Sequence, residues 1–270
     1  VAGSTKSGKN IMISGAANGI GKLMAMEMGK LGGNMLLLDI DALGLESLKN
    51  ELAEKNIHSK FFICDLSNRQ NIYTTAQQIG EVDILVNNAG IVTGKNILDA
   101  QDEMIEKTFQ VNILAHFWLV KSFLPGMIER DSGHIVTIAS AGGLAATPQM
   151  TDYCSSKFAA VGFDESLRLE MKKMGSNVLT TIVCPFFIDT EMFTGAKTRF
   201  SFLLPILKKD YVVKRIIKAV ARNKRRLIMP RFVYTIFPLR LLPFAVQDFI
   251  LDFFGVNKSM DEFVGKGENV

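Results

Sequence analysis

The sequence predicts an α/β fold: a doubly wound parallel sheet of about seven strands flanked by helices, in a single domain. Three observations carry that expectation. Short apolar runs alternate with helical patterns from the first residues onward. The runs are continuous rather than alternately apolar and polar, as in strands buried on both faces. Nothing before residue 190 reads as a linker.

Asn10-Ile11-Met12-Ile13-Ser14 reads as the first strand and leads into a glycine-rich turn ending at Gly21. Residues 20–31 read as a helix, with Ile20, Leu23, Met24, Met28 and Leu31 at helical spacing. Met35 to Asp39 is a buried strand ending in an acid, followed by a helix from about Leu43 to Lys55. Phe61 to Cys64 is the third strand, closed by Asp65, and Val82 to Val86 is the fourth, running into Asn87-Asn88-Ala89-Gly90. A long helical stretch from about Asp102 to Arg130 precedes the fifth strand, His134 to Ala139. A second long helix runs through Tyr153 to about Met174; Val178 to Cys184 and Leu227 to Met229 complete the sheet.

Two segments break the alternation. Residues 190–211 carry Phe193, Phe200, Phe202, Leu203, Leu204, Ile206 and Leu207 among glycine, proline and lysines. An apolar insertion after a strand end suits a substrate lid, the alternative being a surface helix pair. Residues 231–255 lead from basic side chains (Arg222, Lys224, Arg225, Arg226, Arg231, Arg240) into the aromatic-rich run Phe244 to Phe254. That pattern fits either a peripheral membrane helix or one packed on its own domain, with Asp248 and Asp252 on its polar face.

Composition narrows the function classes. The 270 residues are 48% hydrophobic and 21% charged, and the mean hydropathy of +0.19 points to an apolar surface somewhere. A net charge of +4 with no aromatic-interleaved basic stripe argues against nucleic acid. Cys64, Cys154 and Cys184 lack metal-ligand spacing, as do His58, His116 and His134, so reduced thiols and no metal site are expected. No uninterrupted apolar run reaches the ~18 residues of a membrane span. The chain starts at Val1 rather than Met, which leaves open an anchor preceding it.

The chemistry lies in two motifs. Gly15-Ala16-Ala17-Asn18-Gly19-Ile20-Gly21 follows a strand and opens a helix. Gly15 permits the tight turn, and Gly19 and Gly21 are expected to let the backbone approach a pyrophosphate at the helix N-terminus. Asp39, at the end of the second strand, suits a ribose hydroxyl and repels a 2′-phosphate, which favours NAD over NADP. A helix cap at Asp39 or Asp41 is the structural alternative. Downstream, Tyr153 and Lys157 stand at i and i+4, on one helix face. A neighbouring ammonium is expected to lower the tyrosine pKa, so that the phenol exchanges a proton with an alcohol as hydride leaves its carbon. Ser140, at the end of the preceding strand, is placed to hold the substrate oxygen.

With Ser14, Asp65, Asn87-Asn88-Ala89-Gly90, Asn112, Ser140, the Tyr153/Lys157 pair and Cys184-Pro185 through Thr190 in this order, the chain resembles the short-chain dehydrogenase/reductases over nearly its whole length. The resemblance implies a Rossmann-type fold and gives roles by position. Tyr153 would be the acid/base, Lys157 would tune it and bind the nicotinamide ribose, and Ser140 would position the substrate oxygen. Asn112 would complete a proton relay. Asp65 would contact the adenine and Asn87 the adenosine side of the cofactor, and Thr190 would hold the carboxamide. Leu66, Ala89, Gly90 and Pro185 would also bind the cofactor, and Asn18 and Ile20 belong to the glycine turn. Ser14 stands where threonine is usual, and Phe186 replaces a common glycine.

The runs Asn88 to Lys95, His116-Phe117-Trp118, Asp152 to Phe158 and Thr180 to Phe187 resemble the epidermal retinol dehydrogenase group, with the lipid-droplet 17β-hydroxysteroid dehydrogenases as near relatives. That implies a hydrophobic substrate, retinol first and a steroid or other lipid alcohol second. Leu144, Met150, Phe186 and Phe193 are the expected pocket residues. The resemblance also implies a homodimer through the two long helices, about 102–130 and 152–174. It implies peripheral attachment to the endoplasmic reticulum membrane or a lipid droplet on the cytosolic face, a cytoplasmic enzyme being the alternative. A non-catalytic NAD-binding protein on a lipid surface is the rival from another class.

Overall fold

Strands and helices alternate into one seven-stranded sheet in the computed structural model, which describes residues 8–265; the ends of the expected single domain, 1–7 and 266–270, lie outside the described residues. The elements run β1 (Asn10–Ser14), α1 (Gly19–Lys30), β2 (Asn34–Asp39), α2 (Ala42–Glu54), β3 (Ser59–Ile63), α3 (Arg69–Ile79) and β4 (Ile84–Asn87). Then come α4 (Asp102–Phe109), α5 (Ala115–Glu129), β5 (His134–Ile138), α6 (Thr151–Met174), β6 (Leu179–Pro185), α7 (Lys209–Ala221) and β7 (Arg226–Met229). Two short helices, α8 (Ile236–Leu239) and α9 (Phe244–Phe253), follow the sheet.

All pairings are parallel, in the order β3-β2-β1-β4-β5-β6-β7. After β3 the chain returns to the other side of β1, where Ile11 pairs with both Met35 and Ile84. A sheet that reverses direction this way leaves a crevice beyond the C-terminal ends of β1 and β4. Both faces are buried, as the continuous apolar strands require. Ile13, Leu37, Val86 and Val136 meet Met24 and Met28 of α1 and Val212 and Ile216 of α7. On the opposite face Met12, Leu38, Leu85 and Ile135 meet Ile72 of α3, Leu119 and Phe123 of α5, and Leu167 of α6. Each such side chain contributes about 1.5–3 kcal/mol by leaving water.

Two helices have no counterpart in the sequence reading. The α3 sequence is mostly polar, and only Ile72, Thr75, Ala76 and Ile79 turn inward, so its apolar stripe is narrow. The α7 helix begins inside the segment expected to be a lid and buries Val212, Val213, Ile216, Ala219 and Val220. The rest of that segment is irregular: a 3₁₀ turn at Glu191–Phe193 and an isolated parallel bridge between Ile188 and Leu207, not a helix pair. Residues 231–255 form a 3₁₀ turn, α8 and α9; α9 covers the aromatic-rich run expected to be helical, and Pro243 stands at its start.

The helical run from Asp102 to Glu129 is continuous, and by length and composition it could cross a membrane. Half of its most apolar window is buried, and it packs on α3, α6 and the sheet, as a core helix does. Gln110–Leu114 within it form a π turn, which widens the helix at Asn112.

Candidate active site

The crevice is built by interlocking the ends of β1 and β4. The Ser14 hydroxyl donates to the Val86 carbonyl (3.3 Å) and accepts from the Asn88 and Ala89 amides (3.0 and 3.2 Å). The Asn88 side chain donates to the carbonyls of Ser14 (2.9 Å) and Gly15 (3.0 Å). Serine therefore suffices at position 14, and Asn88 is a structural latch that the sequence reading gave no role.

The three glycines of the turn have different tasks. Gly15 has φ +65°, and a Cβ there would lie 2.8 Å from Ala89 Cα. A Cβ on Gly21 would fall 1.9 Å from the Gly15 carbonyl oxygen and 2.7 Å from Asn88 Nδ2. Gly21 thus admits the protein's own backbone, which corrects the expectation that it opens to a ligand. Gly19 is the exposed one, and its nearest neighbour is Thr190 Cγ2, 3.8 Å from an ideal Cβ. Asn18, which precedes α1, makes no side-chain cap, and no acid lies in the first turn. The free amides there suit a phosphate anion.

Asp39 ties this turn to the next loop, accepting from the Ala17 amide (2.9 Å) and the Asp41 amide (3.0 Å). Asp41, not Asp39, caps α2, accepting from Gly44 N (2.9 Å), and its carboxylate also accepts from the Asn18 side-chain Nδ2 (3.0 Å). Asp65 accepts from the Ser67 amide and hydroxyl (2.9 and 2.7 Å) at the edge of the crevice. Leu66 is buried in the core and Asn87 is fully buried, so only their backbone is left to meet a cofactor. Ala89, Gly90 and Ile20 are half-buried along the crevice, Pro185 is buried at the end of β6, and Thr190 faces Gly19. These surroundings fit a dinucleotide: free helix amides, an open glycine and a carboxylate at the end of β2.

Asn112, Ser140, Tyr153 and Lys157 converge from four places in the chain. Asn112 lies on the π turn, its amide donating to the Ile91 carbonyl (3.0 Å) and Ser156 Oγ (3.0 Å) while Oδ1 accepts from the Ile91 amide (2.8 Å). Gly90 lies between the two polar heads, since a Cβ there would be 3.4 Å from both Asn112 Oδ1 and Lys157 Nζ. Lys157 is 3% exposed and donates to the Ile138 carbonyl (3.0 Å). Its Nζ lies 5.6 Å from the centre of the Tyr153 ring. The Ser140 hydroxyl acts on the Tyr153 phenol, and its Oγ accepts from Gly142 N (3.0 Å). Thr93 donates to both oxygens of the buried Asp152 (2.9 and 2.8 Å), fixing the 90–95 loop to the start of α6.

Burial governs the protonation of this group. It pushes the Tyr153 phenol well above its ordinary pKa; the Ser140 hydrogen bond opposes this, and Cys154 and Cys184 add to it. Burial outweighs the lowering expected from Lys157, whose ammonium lies beside the ring and donates to Ile138. Burial also draws Lys157 down from 10.5 to about 8, with Cys184 opposing. Tyr153 is thus a neutral phenol and Lys157 an ammonium near neutrality.

An apolar cavity opens from Ser140. Met150, Phe186 and Phe193 line it as expected, joined by Phe187 and, from the C-terminal segment, Phe232, Ile250 and Phe254. Leu144 does not reach it; that side chain is buried in the core with Ala160 and Ile182. Edge-on ring contacts link Tyr153 to Phe193 (5.9 Å) and Phe193 to Phe187 (5.2 Å), a continuous apolar wall. The C-terminal contributors carry no local signal of pocket membership, because Phe232 and Phe254 meet at 5.3 Å only after folding.

Residues 9–199 match the family model described as short chain dehydrogenase. Human epidermal retinol dehydrogenase 2 is 43% identical over 268 residues, spanning 95% of this chain and 85% of that protein. Human retinol dehydrogenase 10 is 38% identical over 292 residues, spanning 96% and 86%. The solved short-chain dehydrogenase/reductase of Burkholderia phymatum in complex with NAD is 25% identical with a TM-score of 0.79, over 89% of this chain and 95% of that one. The parallel sheet and the crevice at its reversal point agree with these matches. The chain belongs to the short-chain dehydrogenase family, as an oxidoreductase of the alcohol dehydrogenase type that uses a nicotinamide dinucleotide.

Proposed function

We propose that this enzyme interconverts a hydrophobic alcohol and its carbonyl with NAD, retinol and retinaldehyde being the preferred pair. The observation that carries the reading is the Ser140 hydroxyl beside the Tyr153 phenol at the mouth of a phenylalanine-lined cavity, with the Lys157 ammonium next to the ring. When bound, the nicotinamide supplies the hydride acceptor or donor. Ser140 holds the substrate oxygen, and Tyr153 exchanges the hydroxyl proton with it. In the carbonyl-to-alcohol direction the neutral phenol is already the acid. In the oxidative direction the proton passes on from Tyr153, with Lys157 stabilising the charge left behind. The apolar wall excludes water from the reacting carbon.

Asp39 supports NAD, since its carboxylate at the end of β2 would repel a 2′-phosphate. Gly19, the α1 amides, Asp65, Ala89, Gly90 and Thr190 would hold the rest of the cofactor. Purified protein with NAD should generate NADH absorbance on retinol in detergent, and Tyr153→Phe should lower kcat by at least about 10²-fold. Full turnover in that variant would sink the mechanism.

One observation favours a steroid alcohol as the second reading. Thr147, Thr235 and Ser259 lie in the cavity wall with their hydroxyl hydrogens donated to the carbonyls of Val256, Phe232 and Val256 (2.9, 2.8 and 2.8 Å). Their free lone pairs would accept a second hydroxyl. Comparing kcat/KM for retinol and estradiol, each with NAD and NADP, separates the readings. Nucleotide binding without turnover on either alcohol would favour the non-catalytic alternative.

The segment 190–208 is proposed as the lid over this cavity. Phe244, Phe249 and Phe253, exposed on α9 while Ile250 and Phe254 line the cavity, support docking on a lipid surface at the cytosolic face of the endoplasmic reticulum or a lipid droplet. Asp248 and Asp252 share the outer side of α9, so neutral lipid suits it better than anionic lipid. Flotation with phosphatidylcholine vesicles should be lost in Phe249→Ser/Phe253→Ser; undiminished flotation removes α9 from the contact. A homodimer through α5 and α6, where Phe117 and Leu169 are exposed, completes the proposed assembly.

A further inference from the structure

Behind Lys157 lies a group of polar side chains that the reaction as described does not use. Asn87 on β4 and Thr137 on β5 are register partners, so their side chains project to the same face of the sheet. That is the face of Leu85 and Ile135, two residues earlier on each strand, which α5 and α6 cover. His116 lies on α5 one turn beyond Asn112, and its ring is 6.2 Å from that of Phe163 on α6. All three are at most 1% exposed. Both amide atoms of Asn87, both ring nitrogens of His116 and the Thr137 hydroxyl find no protein partner among the described residues.

Buried polar atoms are satisfied in nearly every native structure, by protein or by ordered water. Five unsatisfied atoms, on two paired strand residues and on the helix that covers their face of the sheet, call for one shared solution. A small apolar void stays dry, but a polar one with two to four partners per molecule holds water. The layer also adjoins Lys157: its Nζ is bonded to Ile138, next to Thr137, and its charge is close enough to oppose protonation of His116. A neutral imidazole offers one donor and one acceptor, the capacity needed to anchor a water rather than to compete as a cation.

We propose that Asn87, Thr137 and His116 form an internal hydrated chamber on the α5/α6 side of the sheet, and that His116 is a positioning residue whose anchored water solvates the Lys157 ammonium from behind. The function of this chamber rests on the oxidoreductase reading of Tyr153 and Lys157; its existence does not. Lys157 is faced by Tyr153 from its own helix, Cys184 from β6 and His116 from α5, with Asp164 of α6 beyond Cys184. The chamber supplies uncharged dipoles to this set. Without them the buried ammonium is harder to keep charged, and its pKa falls.

Two variants test this in the full chain. Thr137→Val is isosteric and needs no turnover assay. In a hydrated chamber it removes a used hydrogen-bonding group, so the urea midpoint falls; in a dry one it removes an unsatisfied hydroxyl, so the midpoint stays or rises and the chamber is refuted. His116→Leu should move the alkaline limb of the kcat/KM–pH profile down by about half a pH unit or more, while His116→Asn, which keeps a donor and an acceptor, restores it. A superimposable His116→Leu profile, or an equal shift in His116→Asn, overturns the positioning role and leaves the Tyr153 mechanism standing. If His116→Leu does not fold, the same comparison is made between Thr137→Val and Thr137→Ser, and equal profiles for both overturn the role.

Discussion

Lys157 is expected to be a residue on which the protein loses stability while gaining activity. Burial moves its pKa from 10.5 to about 8, so below pH 8 the folded state carries a charge that the unfolded state holds more cheaply. At about 1.4 kcal/mol per pH unit, that cost is about 3 kcal/mol. Lys157→Met removes the charge and keeps most of the volume, but gives up the bond to the Ile138 carbonyl, about 2 kcal/mol for a charged donor. The variant should therefore be about 1 kcal/mol more stable than the wild type at pH 7 while losing nearly all turnover. The sign follows from a folded-state pKa below the unfolded one. The penalty is complete below pH 8, fades as pH rises from 8 to 10.5, and is absent above. Urea unfolding at pH 7 and at pH 10 should show the advantage shrink and then reverse, since the neutral amine still bonds Ile138. A variant less stable by more than about 1 kcal/mol at pH 7, or a difference that does not change with pH, would refute the reasoning.

Other outcomes follow from the same structure. Gly21→Ala places a methyl 1.9 Å from the Gly15 carbonyl and should cost more than about 3 kcal/mol in urea unfolding while abolishing nucleotide binding by calorimetry. Gly19→Ala meets only an ordinary contact with Thr190, so its φ of +55° is what matters, and the loss should stay at about 1 kcal/mol. Acid stability should reflect two opposed buried groups. Burial holds His116 down at about 3, which makes stability rise with pH between 3 and 6.5. Burial holds Asp164 up at about 7, which makes stability fall with pH between 3.8 and 7. Wild-type urea midpoints should consequently vary little from pH 4 to 6.5. Asp164→Asn should rise steeply over that range, and a flat profile in that variant would show that His116 does not carry the assigned penalty.

Much of the fold is legible because strand burial on both faces leaves a one-dimensional trace. Ile11 to Ile13, Leu36 to Leu38 and Ile135 to Val136 are apolar without interruption, and each lies within a central strand. The helices α3 and α7 escaped because their buried positions are interrupted in linear order by polar residues, Gln77 and Gln78 in α3 and Lys214, Arg215 and Lys218 in α7. At the site, Ser140, Tyr153 and Lys157 were readable from spacing, since four residues on a helix fix a shared face. Leu144 was misplaced into the pocket because its apolar character is equally suited to the core, and only the direction of the chain after the Gly142–Gly143 turn separates the two.

By itself, the sequence determined the parallel α/β architecture, the nucleotide turn, the Tyr153/Lys157 pair and a greasy surround, because each rests on local spacing or on burial that shows in composition. Tertiary structure alone decided how these residues behave. It determined that Gly21 admits the Gly15 carbonyl rather than a ligand, that Asn88 latches the crevice, and that Phe232 and Phe254 close a cavity begun by Phe186. It also set the protonation of the Tyr153/Lys157 pair: the desolvation that raises Tyr153 and lowers Lys157 is the sum of every atom packed around them, and no stretch of sequence contains that sum.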